Sequence, residues 1–364
     1  MIQPKEAINN LIRTAEKEPS RLHKYRMDRN ERTHPFSESF MNYIRKKLTG
    51  EIIMTYSEIE PLYERFSKWL GVDRNRILFH SGSDLAIKAV FETYIRPKDR
   101  ILLHLPGYAM YKVYAQMFQA QVDVLEYDSD LRFNLDQFID ALNEKHRMVV
   151  IENPNGFVGN KHPIKKIEEL IEKAHRLGVI ALVDEAYFHF IDDTTVDFLD
   201  SFDNLIVVRT FSKAFGLAGL RAAYLVSLPK NIQFLYRVKP MHELNSMAVL
   251  AISALLDYED EIRRFIEETK ESLHYLKTSL NKLGIATSDS CTNFLAARFG
   301  AIVDGAEVVK YLQKANILIR RPFREKHLKE WLRVGTAPLE VEKLMIKELE
   351  KYLKFHFTSK KANR

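Results

Sequence analysis

The chain has 364 residues, 46% of them hydrophobic and 29% charged, which is typical of a globular enzyme with one large and one smaller domain. The net charge of +6 does not predict nucleic-acid binding, because basic and acidic residues are interspersed, as in IEELIEKAHR and EIRRFIEETKES. The single cysteine, Cys291, excludes an intramolecular disulfide and a cysteine-based metal cluster. No window approaches the roughly 18 apolar residues of a membrane span, and the N-terminal stretch lacks the apolar core of a signal peptide. We therefore expect a cytoplasmic protein that binds neither nucleic acid nor membrane.

The N-terminal third begins with a polar arm. Residues 1–30 predict a short helix, a break at Pro19, and a polar segment leading to Asn30 and Glu31. Helices are predicted from Pro35 to Leu48 and from Pro61 to Leu70, and the loop between them carries Tyr56. From Arg76 to Ser227 short apolar runs alternate with helical periodicity, which favours a mainly parallel sheet covered by helices. The predicted strands and helices in this region include strands 76–79, 100–105, 121–127 and 148–152 and helices 135–142 and 164–177.

The C-terminal part is mostly helical. A long helix is predicted from Tyr258 to about Leu283 and a closing helix from Leu339 to Leu353. NFLAARF, NILIRR and WLRVGT predict the strands of one small sheet, and the basic run 360–364 is expected to be a frayed end. The predicted division is an arm at 1–34, a large domain at 35–256 and a small domain at 257–364.

The most informative stretch runs from residue 204 to 227. Two apolar strands enclose a polar crossing that contains Thr210, Ser212, Lys213 and Arg221. A lysine at a buried strand end, with hydroxyls and an arginine nearby, suits an anion site and a reactive amine; a loop with a solvated lysine is the alternative. Upstream, SGSDLAIKAV begins a helix after a glycine turn, which offers free N–H groups to a phosphate. A plain helix cap by Ser83 or Asp84 is the alternative there.

The segment TFSKAFGLAGLR resembles the cofactor-lysine segment of the pyridoxal-phosphate (PLP) aminotransferases of fold type I, in the histidinol-phosphate aminotransferase-like branch. Matched segments follow in the same order from about Asp28 to about Tyr352. The resemblance implies an α/β fold in which helices cover a large, mainly parallel sheet of the seven-stranded type, with a smaller α/β C-terminal domain. It also implies pyridoxal 5'-phosphate as the cofactor and a homodimer as the working unit.

The resemblance also assigns roles to individual residues. Lys213 would carry the cofactor, Asp184 would pair with its ring nitrogen, Tyr187 would bond its ring hydroxyl and Tyr108 would stack on the ring. Tyr56 would reach the phosphate of the neighbouring subunit, and Asn30 would approach the substrate. The phosphate would be held by hydroxyls, a turn and an arginine, namely Ser81, Gly82, Ser83, Asp84, Thr210, Ser212 and Arg221.

The chain departs from the family pattern at three places. Gly156 stands where the family loop NPNNPTG has the asparagine that bonds the ring hydroxyl, and Asn155 is the nearest substitute. Leu85 stands where the family usually has an acid. Arg333 lies two residues before Gly335, whereas the arginine that grips the substrate carboxylate usually lies four before. A shift of two keeps the same face of a strand, so Arg333 is expected to bind the carboxylate. Arg320 or Arg321 would hold a second anion, such as a substrate phosphate.

Three functional hypotheses follow. The first is an aminotransferase acting on an amino acid or a phosphorylated amine such as histidinol phosphate, with 2-oxoglutarate or glutamate as partner. The second is a decarboxylase of a phosphorylated amino acid, and the third is a PLP-binding regulator without catalysis. A magnesium site at Asp184 and Glu185 is a further alternative, although no phosphate-binding loop of the Gly-x-x-x-x-Gly-Lys type accompanies these acids. We expect no metal.

Overall fold

The computed structural model of the protein describes residues 2–9, 11, 20–323 and 325–362. The predicted break at Pro19 and the last two residues of the basic tail lie outside this part of the chain. Within the described residues the helices are α1 Glu6–Asn9, α2 Glu38–Lys47, α3 Gly50–Met54, α4 Glu60–Leu70, α5 Ser83–Tyr94, α6 Met110–Met117, α7 Leu135–Ala141, α8 Ile164–Arg176, α9 Pro229–Tyr236, α10 Ser246–Asp257, α11 Glu259–Lys282, α12 Gly305–Lys314 and α13 Leu339–Ala362.

The strands agree with the predicted apolar runs to within one or two residues, except that the first strand was not predicted. They are β1 Tyr25–Met27, β2 Ile77–His80, β3 Arg100–Leu105, β4 Gln121–Glu126, β5 His146–Glu152, β6 Ile180–Asp184, β7 Leu205–Thr210, β8 Ala223–Ser227, β9 Phe294–Arg298, β10 Ile317–Ile319 and β11 Trp331–Gly335. Some helix boundaries shift because of capping. The helix predicted from Pro35 starts later, at Glu38, because the Ser37 side chain accepts a hydrogen bond from the amide of Phe40.

A seven-stranded sheet forms the centre of the molecule, in the order β2-β8-β7-β6-β5-β3-β4. β8 is antiparallel to both of its neighbours, β2 and β7, and the other pairs are parallel. Parallel neighbours need long crossover connections, which the helices between the strands supply. The predicted fold class, an α/β protein with a mainly parallel sheet, is confirmed.

Helices cover both faces of this sheet. Along β5, Val149 and Ile151 belong to one buried cluster, whereas Met148 and Val150 belong to another that includes residues of α5 and α6. Because successive side chains of a strand point to opposite faces, the two clusters are the cores above and below the sheet. Burial on both faces explains why the central strands are continuous apolar runs rather than alternating ones.

The C-terminal strands pair differently from the single small sheet that we predicted. β9 and β11 form an antiparallel pair, but β10 pairs in parallel with β1 of the N-terminal arm. The amide of Arg320, just after β10, donates to the carbonyl of Arg333 on β11, so the two pairs are adjacent. β1 is only three residues long, which is too short for alternation of polar and apolar residues to predict a strand there.

The long helix α11 contributes to two cores. Ile262 and Phe265 pack in the core beside the large sheet, and Leu276 and Leu280 pack in the C-terminal core with β9 and β11. The domain boundaries predicted from the sequence remain a prediction. Among the described residues, no helix combines the length and apolar character needed to cross a membrane.

Candidate active site

The predicted site residues converge at the carboxyl ends of the central strands. Asp184 is the last residue of β6, Thr210 is the last residue of β7, and Lys213 follows three residues later. In open α/β sheets this edge is where ligands bind, because loops and helix N-termini meet there. The sheet therefore places an acid, a hydroxyl and an amine at one edge.

Lys213 is only loosely held by the protein. Its Nζ lies 3.4 Å from the backbone carbonyl oxygens of Arg29 and Asn30, and 5.5 Å from the ring centre of Tyr187. The side chain is half-buried. Hydrogen bonds of this length are weak, so the amine keeps its freedom to bind a ligand.

Asp184 is a buried carboxylate at the floor of the site. Its oxygens accept from the Tyr111 hydroxyl at 2.7 Å and from the Ala186 amide at 3.0 Å. Burial raises the pKa of Asp184 from 3.8 to about 6, although these hydrogen bonds and the charge of Lys213 act in the opposite direction. A buried acid of this kind is suited to pairing with a positively charged ring nitrogen.

The predicted phosphate turn lies at the N-terminus of α5. Gly82 has φ +90, and a Cβ at this position would lie 2.6 Å from the Nη2 atom of Arg221. Arg221, itself at φ 52, places Nη2 3.5 Å from a carboxylate oxygen of Asp84. Nearby, Thr210 and Ser212 are buried, and the Ser212 amide donates to the Thr210 hydroxyl at 3.1 Å. The helix N-terminus, two hydroxyls and an arginine together make a suitable site for a phosphate.

The other residues of the predicted phosphate turn lie close to Arg221. The Ser81 hydroxyl donates to the Arg221 carbonyl at 3.4 Å, and Ser83 is the first residue of α5. The Tyr108 hydroxyl donates to Asp84, and burial raises the pKa of this phenol above its usual value. Asp84 therefore connects the predicted stacking tyrosine to the predicted phosphate arginine.

Asn30 and Tyr187 form one unit. The Asn30 side chain is buried and donates to the Tyr187 hydroxyl at 2.7 Å, while its backbone carbonyl faces Lys213. Its partner in the predicted pair, Glu31, is instead bound by Arg21 at 2.9 Å. The arm thus contributes Asn30 to the site, whereas Glu31 holds the arm together.

The loop after β5 uses Asn155 for its own structure. The Asn155 amide donates to the Pro106 carbonyl at 3.0 Å and accepts from the amides of Phe157 and Val158 at 2.8 Å each. Both ends of the side chain are occupied within the protein. Closure of the loop, rather than a ligand, accounts for Asn155.

Arg333 reaches the site from β11. It is buried, lies between the rings of Phe157 and Phe294, and donates to the Gly156 carbonyl at 2.8 Å. Burial lowers the pKa of Arg333 to about 10, and the charge of Arg320 acts in the same direction. Arg321, by contrast, is exposed.

Tyr56 does not join the site within one chain. It is 77% exposed and stacks on His242 with ring centres 4.2 Å apart.

Comparison with known proteins identifies the family. The family model for aminotransferase class I and II matches residues 32–346. A histidinol-phosphate aminotransferase of Caldanaerobacter subterraneus subsp. tengcongensis is 31% identical over 338 residues, which cover 91% of this chain and 93% of that protein. The chain belongs to the aminotransferase class I and II family. This membership confirms the predicted enzyme class.

Two solved structures show the same fold. The histidinol-phosphate aminotransferase of Sinorhizobium meliloti, in complex with pyridoxal-5'-phosphate, has a TM-score of 0.83 at 22% identity, covering 91% of each chain. The L-threonine-O-3-phosphate decarboxylase of Porphyromonas gingivalis has a TM-score of 0.79 at 23% identity, covering 91% of this chain and 99% of that one.

The site of this aminotransferase fits pyridoxal 5'-phosphate, the cofactor of its family. Two buried polar atoms of site residues, Asn30 Oδ1 and Arg333 Nε, have no hydrogen-bond partner among the described residues. Buried polar atoms are normally paired, so these two are suited to a ligand. Lys213 would hold the cofactor, and Asp184 would pair with its ring nitrogen. The turn at Gly82 and the Arg221 side chain would hold its phosphate.

Two site residues of the aminotransferase were missed by the sequence reasoning. Tyr111, one helical turn after Tyr108, donates to Asp184. Glu152 ends β5 in register with Asp184 on β6. An acid at the end of an apolar strand was the available signal for Glu152, the same signal that pointed to Asp184.

The neighbouring acid, Glu185, serves the structure. It forms a buried ion pair with Arg209 at 2.7 Å and accepts from both Thr194 and Thr195. Within the described part of the chain, no group of three or more His, Cys, Asp or Glu side chains could hold a metal ion.

Proposed function

We propose that this aminotransferase moves an amino group between a phosphorylated amine of the histidinol-phosphate type and 2-oxoglutarate. The environment of Arg333 is the observation that supports binding of the 2-oxoglutarate carboxylate. Arg333 is a buried cation beside Tyr187, and among the described residues no carboxylate lies within 4.0 Å of its guanidinium. A buried charge is costly unless it is paired, so the carboxylate of the oxo acid or of glutamate is its natural partner.

The chain's own groups then perform the remaining tasks. Bound pyridoxal phosphate supplies an electron-accepting ring when a bond of the substrate breaks. Lys213, at the end of its flexible side chain, moves a proton at the substrate's α-carbon. Asp184 would hold a negative charge for the ring nitrogen, while Asn30 fixes the Tyr187 hydroxyl. Burial of these groups excludes water from the reacting atoms.

The phosphorylated donor is supported by a second positive region. Arg320 is half-buried, and its charge lowers the pKa of Arg333, so the two guanidinium groups are close enough to interact. The next residue, Arg321, has an exposed side chain. We assign the substrate phosphate to this pair, while the oxo-acid carboxylate stays with Arg333.

An absorbance experiment tests the proposal. Adding glutamate to the holoenzyme should bleach the band of the lysine-bound cofactor, and 2-oxoglutarate should restore it. Histidinol phosphate should bleach the band at lower concentrations than unphosphorylated histidinol. If glutamate bleaches the band but histidinol phosphate and histidinol act at the same concentrations, the proposal of a phosphorylated donor is wrong. The aminotransferase activity itself would then still be supported. Lys213→Ala should abolish both responses.

A decarboxylase of a phosphorylated amino acid is the second candidate. The observation in its favour is that Arg333 lies two residues before Gly335, whereas the family arginine usually lies four before. The group that grips the carboxylate decides which bond of the substrate stands perpendicular to the ring. Release of CO₂ from O-phosphothreonine without an oxo acid would establish it. Lack of CO₂ together with a glutamate-dependent bleach would exclude it.

We also propose that the enzyme works as a homodimer in which Tyr56 reaches the partner's phosphate site. Ile53, Met54 and Tyr56 are 70%, 80% and 77% exposed, and Met241, which precedes the His242 that stacks on Tyr56, is 85% exposed. Two hydrogen bonds join the loop that carries Tyr56 to the segment after Met241. The Ser246 hydroxyl donates to the Thr55 carbonyl, and the Ser57 hydroxyl donates to the Leu244 carbonyl. A contiguous exposed apolar surface of this kind is typical of an interface.

Solution mass by light scattering tests the dimer. Met54→Asp should shift it toward the monomer, with a parallel loss of cofactor binding. Tyr56→Phe should remain dimeric and bind the cofactor several-fold more weakly. A monomeric wild type with full cofactor affinity would contradict the proposal. The cytoplasmic location and the domain boundaries remain predictions.

A further inference from the structure

A second buried carboxyl group lies next to Asp184. Glu152 is the last residue of β5, and the parallel register pairs it with Asp184 at the end of β6. Paired residues on neighbouring parallel strands project to the same face of the sheet, so both acids point toward the same region. Glu152 is 3% exposed and Asp184 is 5% exposed. The resemblance assigned no role to Glu152.

The structure reserves space for this carboxyl group by means of two glycines. A Cβ at Gly107 would lie 2.6 Å from Oε1 of Glu152, and a Cβ at Gly156 would lie 2.8 Å from Oε2. The amide of Tyr108 donates to Oε1, and the amide of Gly156 donates to Oε2 at 2.9 Å. Any side chain at Gly156 would therefore collide with the carboxyl group. Gly156 is also the position at which the loop lacks its expected asparagine.

The order of strands indicates which edge of the cofactor Glu152 faces. The phosphate elements lie on β2, β7 and β8, to one side of β6, and β5 lies on the other side. In pyridoxal phosphate the phosphate arm and the ring hydroxyl lie on opposite sides of the axis through the ring nitrogen. With Asp184 at the nitrogen, the hydroxyl edge is directed toward β5 and the Gly156 loop.

We propose that the Glu152 carboxyl group replaces the missing asparagine side chain and hydrogen-bonds the hydroxyl edge of the cofactor ring. The inference rests on the proposed cofactor site. It gives a physical reason for the glycine at position 156, because the donor group comes from the strand instead of from the loop.

The electrostatics agree with a donor role. Burial and the negative charge of Asp184 raise the pKa of Glu152 to about 8, while its two amide bonds and Arg333 act in the opposite direction. The other titratable groups that face Glu152 are His104, Tyr111 and Tyr127. His104 accepts from the Glu152 amide, and burial lowers the pKa of His104 to about 3, so it is neutral. Near pH 7 the carboxyl group holds a proton that it can donate, and Asp184 carries the charge.

Cofactor affinity tests the inference without relying on turnover. Apoenzyme titrated with pyridoxal phosphate should show about tenfold weaker binding in Glu152→Ala, the loss expected for one hydrogen bond. Gly156→Asn alone should also weaken binding, because its side chain meets the carboxyl group. Combining the two substitutions should restore the affinity to within about threefold of wild type. Two defects that add instead of cancelling would overturn the inference.

A spectroscopic readout covers the case in which Glu152→Ala does not fold. Protonated Glu152 donates to the ring oxygen and so favours the loss of a proton from the bound cofactor. Glu152→Gln keeps a neutral donor and should change its absorbance at the same pH as wild type, whereas Glu152→Leu should change at a pH at least half a unit higher. Equal midpoints in Glu152→Leu and wild type would overturn the inference. Glu342→Ala is the matched control, since burial also raises the pKa of this distant glutamate to about 8. It should leave affinity and midpoint unchanged.

The two proposals fail in different ways. If wild type binds no cofactor at all, the proposed site is wrong, and the inference falls with it. If wild type binds the cofactor through Lys213 and Glu152→Ala binds it equally well, only the role of Glu152 is wrong.

Discussion

The amide of Asn30 donates to the hydroxyl of Tyr187 over 2.7 Å, and this bond joins the N-terminal arm to the loop that follows β6. Asn30 adopts φ 55, a left-handed conformation that asparagine tolerates better than most residues. Its backbone carbonyl is bonded by Asn293 at 3.1 Å, just before β9. Three distant parts of the chain thus meet at one residue beside Lys213.

The Asn30–Tyr187 bond should be measurable by a double-mutant cycle. Asn30→Gly keeps the left-handed backbone and removes only the amide, and Tyr187→Phe removes the hydroxyl. Each substitution should lower kcat/KM by about five- to tenfold, the value of one hydrogen bond of about 1 kcal/mol. Because both remove the same bond, the double variant should be little worse than either single one. Independent, multiplying effects would show that the two groups act separately.

The Gly82 position should be intolerant of a side chain for two separable reasons. Gly82→Ala places a methyl group against Arg221 and also strains a backbone at φ +90, so cofactor affinity should fall at least tenfold and the melting temperature by a few degrees. Gly178 has φ +67 and open space around it, which makes Gly178→Ala the matched control. The control should lose a similar amount of stability and keep its affinity for pyridoxal phosphate. Loss of affinity in both would point to strain alone.

Arg333 should discriminate between the two halves of the reaction. Arg333→Ala should raise the KM for glutamate by about 10- to 100-fold, since a hydrogen-bonded charge pair is worth about 1.5–3 kcal/mol. Arg321→Ala should raise the KM for the phosphorylated donor and leave that for glutamate unchanged. Steady-state kinetics with each substrate varied in turn measures both. An unchanged KM for glutamate in Arg333→Ala would assign the carboxylate to another group.

Cofactor binding should weaken in mild acid. Burial raises the pKa of Asp184 to about 6, so in the ligand-free protein the group is neutral below that pH and charged above it. If the cofactor needs the charged form, the affinity falls as pH drops through about 6, by up to about tenfold per unit. Asp184→Asn should bind weakly throughout and lack this component. The titration is measured from pH 5 to 8 on both proteins, and parallel curves would argue against Asp184 as the responsible group.

The Glu185–Arg209 pair should matter for folding and not for metal binding. Both side chains are about 2% exposed, so removing one charge leaves the other buried and unpaired. Glu185→Gln should destabilise the protein by about 3–5 kcal/mol in denaturant unfolding. A metal chelator should alter neither the stability nor the activity of wild type. Sensitivity to the chelator would revive the magnesium hypothesis.

The sequence by itself determined the large sheet and most of its chemistry. Apolar runs that are buried on both faces are continuous, and the runs from β2 to β7 could therefore be placed to within one or two residues. Lys213 and Asp184 could be named because the segments around them resemble the matching segments of the family. An acid at the end of an apolar strand was a supporting signal for Asp184.

Only the tertiary structure decided how the pieces of the site meet. β1 has three residues, too few for a periodicity to be recognised, and its partner β10 is almost 300 residues away, so no local signal links them. The same holds for Asn155, whose amide closes its own loop, and for Glu152, whose importance depends on space left by Gly107 and Gly156. Such relationships depend on which atoms lie within a few ångströms of each other across the sheet, and residue order along the chain does not encode that distance.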